Sequence, residues 1–152
     1  MEAHVLLADF AQTDVSGKVN ALGLGWSLTQ TPTSNMAVVV MVKVGWNETN
    51  QKHRLSLNLL TADGQHAVQG LTPLGMQPLR VEGEFEVGRP AGLPKGSTID
   101  HALAVNVAPG LPLTPGRYEW RLKIDDLEDA TWRAAFVVRG PVGEPESPER
   151  LG

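Results

Sequence analysis

The chain has 152 residues, of which 41% are hydrophobic and 20% charged, and a formal net charge of −4 at pH 7. That length suits one domain able to bury its own core, and the absence of cysteine excludes disulfides, thiolate metal sites and thiol nucleophiles. The acidic balance argues against nucleic acid as a partner, because neutralising phosphates takes a basic surface.

Sixteen glycines and eleven prolines punctuate the chain and favour many short elements joined by turns. The start, Met1-Glu2-Ala3-His4-Val5, has neither a basic n-region nor a long apolar h-region, so no signal peptide is expected. The longest apolar run, 36–42, is too short to span a bilayer, so no membrane association is expected. A cytoplasmic location follows, or a virion-associated one if the gene is phage-borne.

Alternation with period two dominates in chain order. The first strands are expected at 5–10 and 18–28, with a turn at Asp14-Val15-Ser16-Gly17 between them. In the second, Gly23 and Gly25 share one face and Leu22, Leu24 and Trp26 the other, which would let another segment approach the backbone closely. The run 37–46 is apolar on both faces, with Val38, Val40, Val42 and Val44 on one and Ala37, Val39 and Met41 on the other. An antiparallel strand with one wet face does not look like this, so something must cover Val39 and Met41. The two candidates are a long loop over 64–80 and a second subunit or partner.

Strands follow at 54–60, 81–87, 101–107, 118–125 and 131–139. Between them lie a proline-stiffened basic loop, 88–97, carrying Arg89 and Lys95, and an acidic hairpin loop, 125–129. The domain is expected to span 1–139, with a Pro- and Glu-rich tail over 140–152. The expected fold is all-β, a β-sandwich of seven or eight mostly antiparallel strands, immunoglobulin-like or jelly-roll-like, with little helix. Leu55, Leu57, Val105, Tyr118, Trp120, Leu122, Trp132 and Phe136 are expected in one core.

Chemistry-bearing motifs are sparse. Gly23-Leu24-Gly25 lacks the third glycine and the helix of a dinucleotide fingerprint, and the four histidines are scattered rather than set at ligand spacing. Glu82, Glu84 and Glu86 sit at alternate strand positions, about 6.6–6.8 Å apart, near the separation of an inverting glycosidase's carboxylates. A solvated row guarding a sheet edge, or a site for a cation or basic partner, fits the same pattern. The loop carrying Asp125, Asp126, Glu128 and Asp129 has the charge to hold Ca²⁺ but not the spacing of an EF-hand. No cofactor is expected.

The phrases Ala8-Asp9-Phe10-Ala11-Gln12, Gly17-Lys18, Leu22-Gly23-Leu24-Gly25-Trp26, Gly88-Arg89-Pro90 and Pro115-Gly116-Arg117-Tyr118-Glu119-Trp120 carry a family resemblance. Up to about Arg139 the chain resembles small bacterial and phage proteins classed as a domain of unknown function. The resemblance implies a small cytoplasmic all-β protein and supplies no activity or binding residues. The leading expectation is a non-enzymatic protein-binding or assembly module, with Val39, Met41, Arg89 and Lys95 as its partner surface. The runner-up is a carbohydrate or small-ligand binder using Trp26 or Trp46, and the third an enzyme using a carboxylate pair. Open tryptophan faces would favour the second, and a clustered carboxylate–histidine pocket the third.

Overall fold

The structure, a computed structural model, describes residues 1–63 and 66–140. The expected tail from 141 onward, and residues 64 and 65 of the expected 64–80 loop, lie outside the described residues. The strands are β1 (Glu2–Ala8), β2 (Phe10–Thr13), β3 (Val19–Leu22), β4 (Leu28–Gln30), β5 (Met36–Val44) and β6 (Lys52–Thr61). They continue with β7 (Gln69–Thr72), β8 (Gly75–Pro78), β9 (Arg80–Glu86), β10 (Ile99–Val107), β11 (Gly116–Ile124) and β12 (Arg133–Arg139). Helix among the described residues amounts to one 3-10 turn, Trp46–Glu48.

Eight strands form two sheets, one of three strands in the order β1-β5-β10 and one of five in the order β4-β12-β11-β6-β9. Every pairing is antiparallel except the short parallel β4–β12 contact. The sheets share one core, so the fold is the expected β-sandwich. Val38, Val40, Val42 and Val44 from β5 meet Leu57, Leu59, Trp120, Leu122 and Phe136 from the facing sheet. All eight expected core residues belong to it, with Val105 half-buried at the margin. Burying each large side chain contributes about 1.5–3 kcal/mol, which is why period-two alternation alone places these strands.

Two local devices set the late strands. The Pro115-Gly116 turn delivers Tyr118 inward, and its hydroxyl donates to the Thr114 carbonyl at 2.6 Å. Asp125 and Asp126 take φ of 52° and 63°, and Ile124 and Leu127 exchange backbone bonds around them. That is a type I′ hairpin turn, which aspartate tolerates.

Two expectations need correction. The run 18–28 is two strands, because Gly23 and Gly25 adopt φ of 65° and 94° and turn the chain between β3 and β4. Leu22, Leu24 and Leu28 are consequently exposed, and Trp26 reaches the core edge-on to Phe136 at 5.6 Å. Gly23 does allow a close approach: a Cβ there would sit 2.1 Å from the Asp9 carboxylate. Second, 64–80 is no plain loop but contains the two-stranded β7–β8 hairpin, whose Leu71, Leu74 and Met76 are exposed. Of the described residues of this segment, only Val68 and Leu79 pack against the main core. Glu119 of β11 is buried although its side chain points away from the core that Tyr118 and Trp120 enter, and it is held by Arg121 and by Arg133 at 3.5 Å.

Candidate functional site

The cover over Val39 is neither of the two expected candidates. The β2–β3 hairpin folds back across the outer face of the three-stranded sheet as a third layer. Ala8, Ala11 and Ala37 let the backbones approach, and all three are fully buried with Val39 in a second apolar cluster. Asn106 of β10 seals the contact. Its side-chain amide donates to the Ala11 carbonyl at 2.7 Å and its carbonyl accepts from the Ala11 amide at 3.2 Å. The tip of the hairpin is shaped by Asp14, whose carboxylate accepts from the Ser16 hydroxyl at 2.6 Å and the Lys18 amide at 3.0 Å. The Ser16 hydroxyl and the Lys18 amide hold the Asp14 carboxyl below its ordinary pKa.

Because the hairpin contacts the sheet at its alanine-lined end, a cleft of about 500 Å³ opens beneath its tip. Leu6, Val39, Met41 and Ala102 form the floor, and Lys18, Val19 and Ala21 descend from the hairpin. His4, Lys43 and Asp100 are among the polar residues at its margin. Met41 remains 47% exposed here, whereas Val39 is 3% exposed and Val40 fully buried. Lys43 pairs with Asp100 at 3.2 Å. Lys18 has no ion pair among the described residues.

The other expected site residues are placed as follows. Arg89 is not free: its guanidinium lies 4.1 Å over the Trp46 ring and donates to the Thr49 hydroxyl and the Trp46 carbonyl. It fastens the 3-10 turn, and it covers one face of the tryptophan expected to stack on a sugar. Lys95 stays exposed in the loop between β9 and β10. Glu82, Glu84 and Glu86 line the outer face of β9, an edge strand, opposite Ser56, Arg54 and Lys52. All three are exposed, and Glu82 pairs with Arg80 at 2.7 Å. That is a solvated charge ladder along an edge.

Asp125 and Asp126 do not converge on an open cation position. Asp125 accepts from His53 at 2.7 Å and from the Arg54 amide at 2.9 Å, and Asp126 pairs with the Arg54 guanidinium at 2.9 Å. No group of three or more His, Asp or Glu residues among those described is arranged to hold a metal.

The sequence reading missed the pair of buried His53 with exposed Asp125, which joins residues 72 positions apart. His53 is buried, with Nδ1 on Asp125 and Nε2 2.6 Å from the Glu48 carbonyl. Both partners offer acceptor oxygens, so the geometry favours the imidazolium, whose two ring nitrogens both donate. Burial works against the charge, but Asp125 and the Glu48 carbonyl win and raise the pKa above the ordinary 6.5. Burial likewise opposes the Asp125 charge, and its bonds to His53 and Arg54 lower its pKa all the same. The pair has the look of a catalytic base and its orienter, yet Nε2 is occupied and cannot take a proton from a substrate. Its position between the 3-10 turn and the β11–β12 turn is that of an internal tie.

Fold and site together define a class: an all-β sandwich whose smaller sheet carries a docked hairpin roofing an apolar cleft. The chain belongs to the Family of unknown function (DUF6941), whose model matches residues 3–139. No curated protein matches it. No helix among the described residues is long and apolar enough to cross a membrane.

Proposed function

We propose that the protein is a non-enzymatic module that holds an extended segment of a partner protein in the cleft at Met41. The observation that carries this is Met41 itself, a large apolar side chain left 47% exposed within a strand that is otherwise apolar from Met36 to Val42. Lys18 beside it, with no ion pair among the described residues, favours a segment with an apolar side chain next to an acidic one. The occupied Nε2 of His53 and the solvated glutamate row support a binding role over catalysis. A cysteine-free chain suits a reducing compartment such as the cytoplasm.

The test compares wild type with Met41→Asp as baits. Met41 is exposed, so the variant should melt within about 1 kcal/mol of wild type. A partner held by wild type and lost from Met41→Asp and Lys18→Glu supports the reading; equal retention by all three overturns it. The cleft volume also lies within the range of small-ligand sites, roughly 300–1,000 Å³, and this favours a second reading, an amphipathic small molecule. Binding of the anionic apolar dye anilinonaphthalene sulfonate that Met41→Asp abolishes, without any captured protein, would select it.

A further inference from the structure

The four strand ends of the two sheets are not equally protected. β4 is only three residues long, and β9 carries the row Glu82, Glu84 and Glu86. β1 runs beside β12 of the facing sheet, and its Leu7 carbonyl accepts from the Gly25 amide at 2.7 Å. β10 is touched on its outer face by the β2–β3 hairpin through Asn106, but none of these devices lies along its edge. It is nine residues long, Ile99-Asp100-His101-Ala102-Leu103-Ala104-Val105-Asn106-Val107, with no proline or glycine and one acidic residue. Its backbone bonds only to β5 among the described residues, so alternate amides and carbonyls along its outer edge point at solvent. Its inward side chains, Leu103, Val105 and Val107, are only half-buried, since the core is open on this side.

We infer that β10 is a self-association edge, on which a second copy of this chain adds its own β10 antiparallel about a two-fold axis at Leu103. The sequence of the strand is matched to that operation. With Leu103 opposite Leu103 of the second copy, Ala102 falls opposite Ala104, His101 opposite Val105, Asp100 opposite Asn106 and Ile99 opposite Val107. Inward residues meet inward residues and outward meet outward, as the pleat requires. The lone acidic residue meets an amide, so no like charges are opposed. The result is a continuous six-stranded sheet, a closed isologous arrangement in which both exposed edges disappear. The inference concerns the edge of β10 and holds whether or not the cleft at Met41 binds a partner.

Sedimentation or light scattering across a concentration series tests it first. The mass should rise toward twice the 16.4 kDa of one chain. Leu103→Lys opposes two ammonium groups at the two-fold axis and should return the mass to one chain; because Leu103 is half-buried, the lysine can reach solvent and its melting curve checks the fold. The chain has no cysteine, so Leu103→Cys introduces a single thiol that should form a disulfide-linked pair on oxidation, while Leu71→Cys on the exposed β7–β8 hairpin should not. A mass of one chain at every concentration overturns the inference. So does a dimer in which the two cysteine variants cross-link equally, because it would use another surface.

Discussion

His53 and His101 bracket the Phe85 ring, at centroid distances of 5.4 and 5.2 Å, yet their titrations act on stability in opposite directions. His53 has a raised pKa, so its contribution is complete below the ordinary 6.5 and is lost as pH rises through the higher folded value. Asp125 has a lowered pKa, so its contribution is complete above 3.8 and is lost as pH falls through the folded value. The pair is therefore at full strength between 3.8 and 6.5. His101 has only burial acting on it, which lowers its pKa, so its protonation on acidification opposes folding. The two histidines thus act on opposite sides of 6.5, His101 below it and His53 above it. In His101→Leu the melting temperature should still fall as pH rises above 6.5, and in His101→Leu with Asp125→Asn that slope should vanish. A slope unchanged by Asp125→Asn would show that the pair is not its source. Trp120 poses a simpler question at the same scale. It is 2% exposed and its buried Nε1 has no hydrogen-bond partner among the described residues. Trp120→Ala should cost about 3–5 kcal/mol in denaturant unfolding. Trp120→Phe should cost clearly less, because it also removes an unpaired donor.

At the scale of elements, β5 shows how much of the fold was legible and where legibility stopped. Its two apolar faces showed that the strand is covered twice, and Leu55, Leu57 and Leu59 or Tyr118, Trp120 and Leu122 declared their inward faces by alternation alone. What covers Val39 was not legible, because the cover depends on where a hairpin lands rather than on any local period. The signal that could have found it is the spacing of small residues, Ala8, Ala11 and Ala37, which marks a close approach of backbones. Gly23 and Gly25 were legible as special but were assigned to a strand interior; only their positive φ shows a turn. The His53–Asp125 tie joins distant segments and has no sequence signature at all. The two positions on β5 now separate cleanly. Val39→Asp buries an uncompensated charge under the β2–β3 hairpin and should destabilise the fold by about 3–5 kcal/mol, whereas Met41→Asp, two residues on and half-exposed, should leave it within about 1 kcal/mol. Equal costs, measured by urea unfolding, would mean that the hairpin does not cover Val39 selectively.

Across the whole molecule, hydrogen bonding and burial divide the chain into shells of unequal resistance to opening. β5 is bonded on both sides, by β1 and β10, and β11 and β6 are likewise bonded on both sides. These strands also supply the fully buried Val38, Val40, Leu57, Leu59 and Leu122, so their amides should exchange only through global unfolding. The two hairpins outside the main sheets contrast with each other. A lone two-stranded hairpin is marginal in water, and β7–β8 exposes Leu71 by 83% and Leu74 by 87%, so little holds it down. The β2–β3 hairpin has equally few ladder bonds, but Ala11 is fully buried and doubly bonded to Asn106. Native-state hydrogen exchange should therefore rank β5, β6 and β11 slowest, β2–β3 close behind, and β7–β8 fastest. Asn106→Ala should move the β2–β3 amides toward the rate of β7–β8 while leaving those of β6 and β11 in place. If β2–β3 already exchanges as fast as β7–β8 in wild type, the third layer is not docked, and the cleft beneath it has no fixed roof.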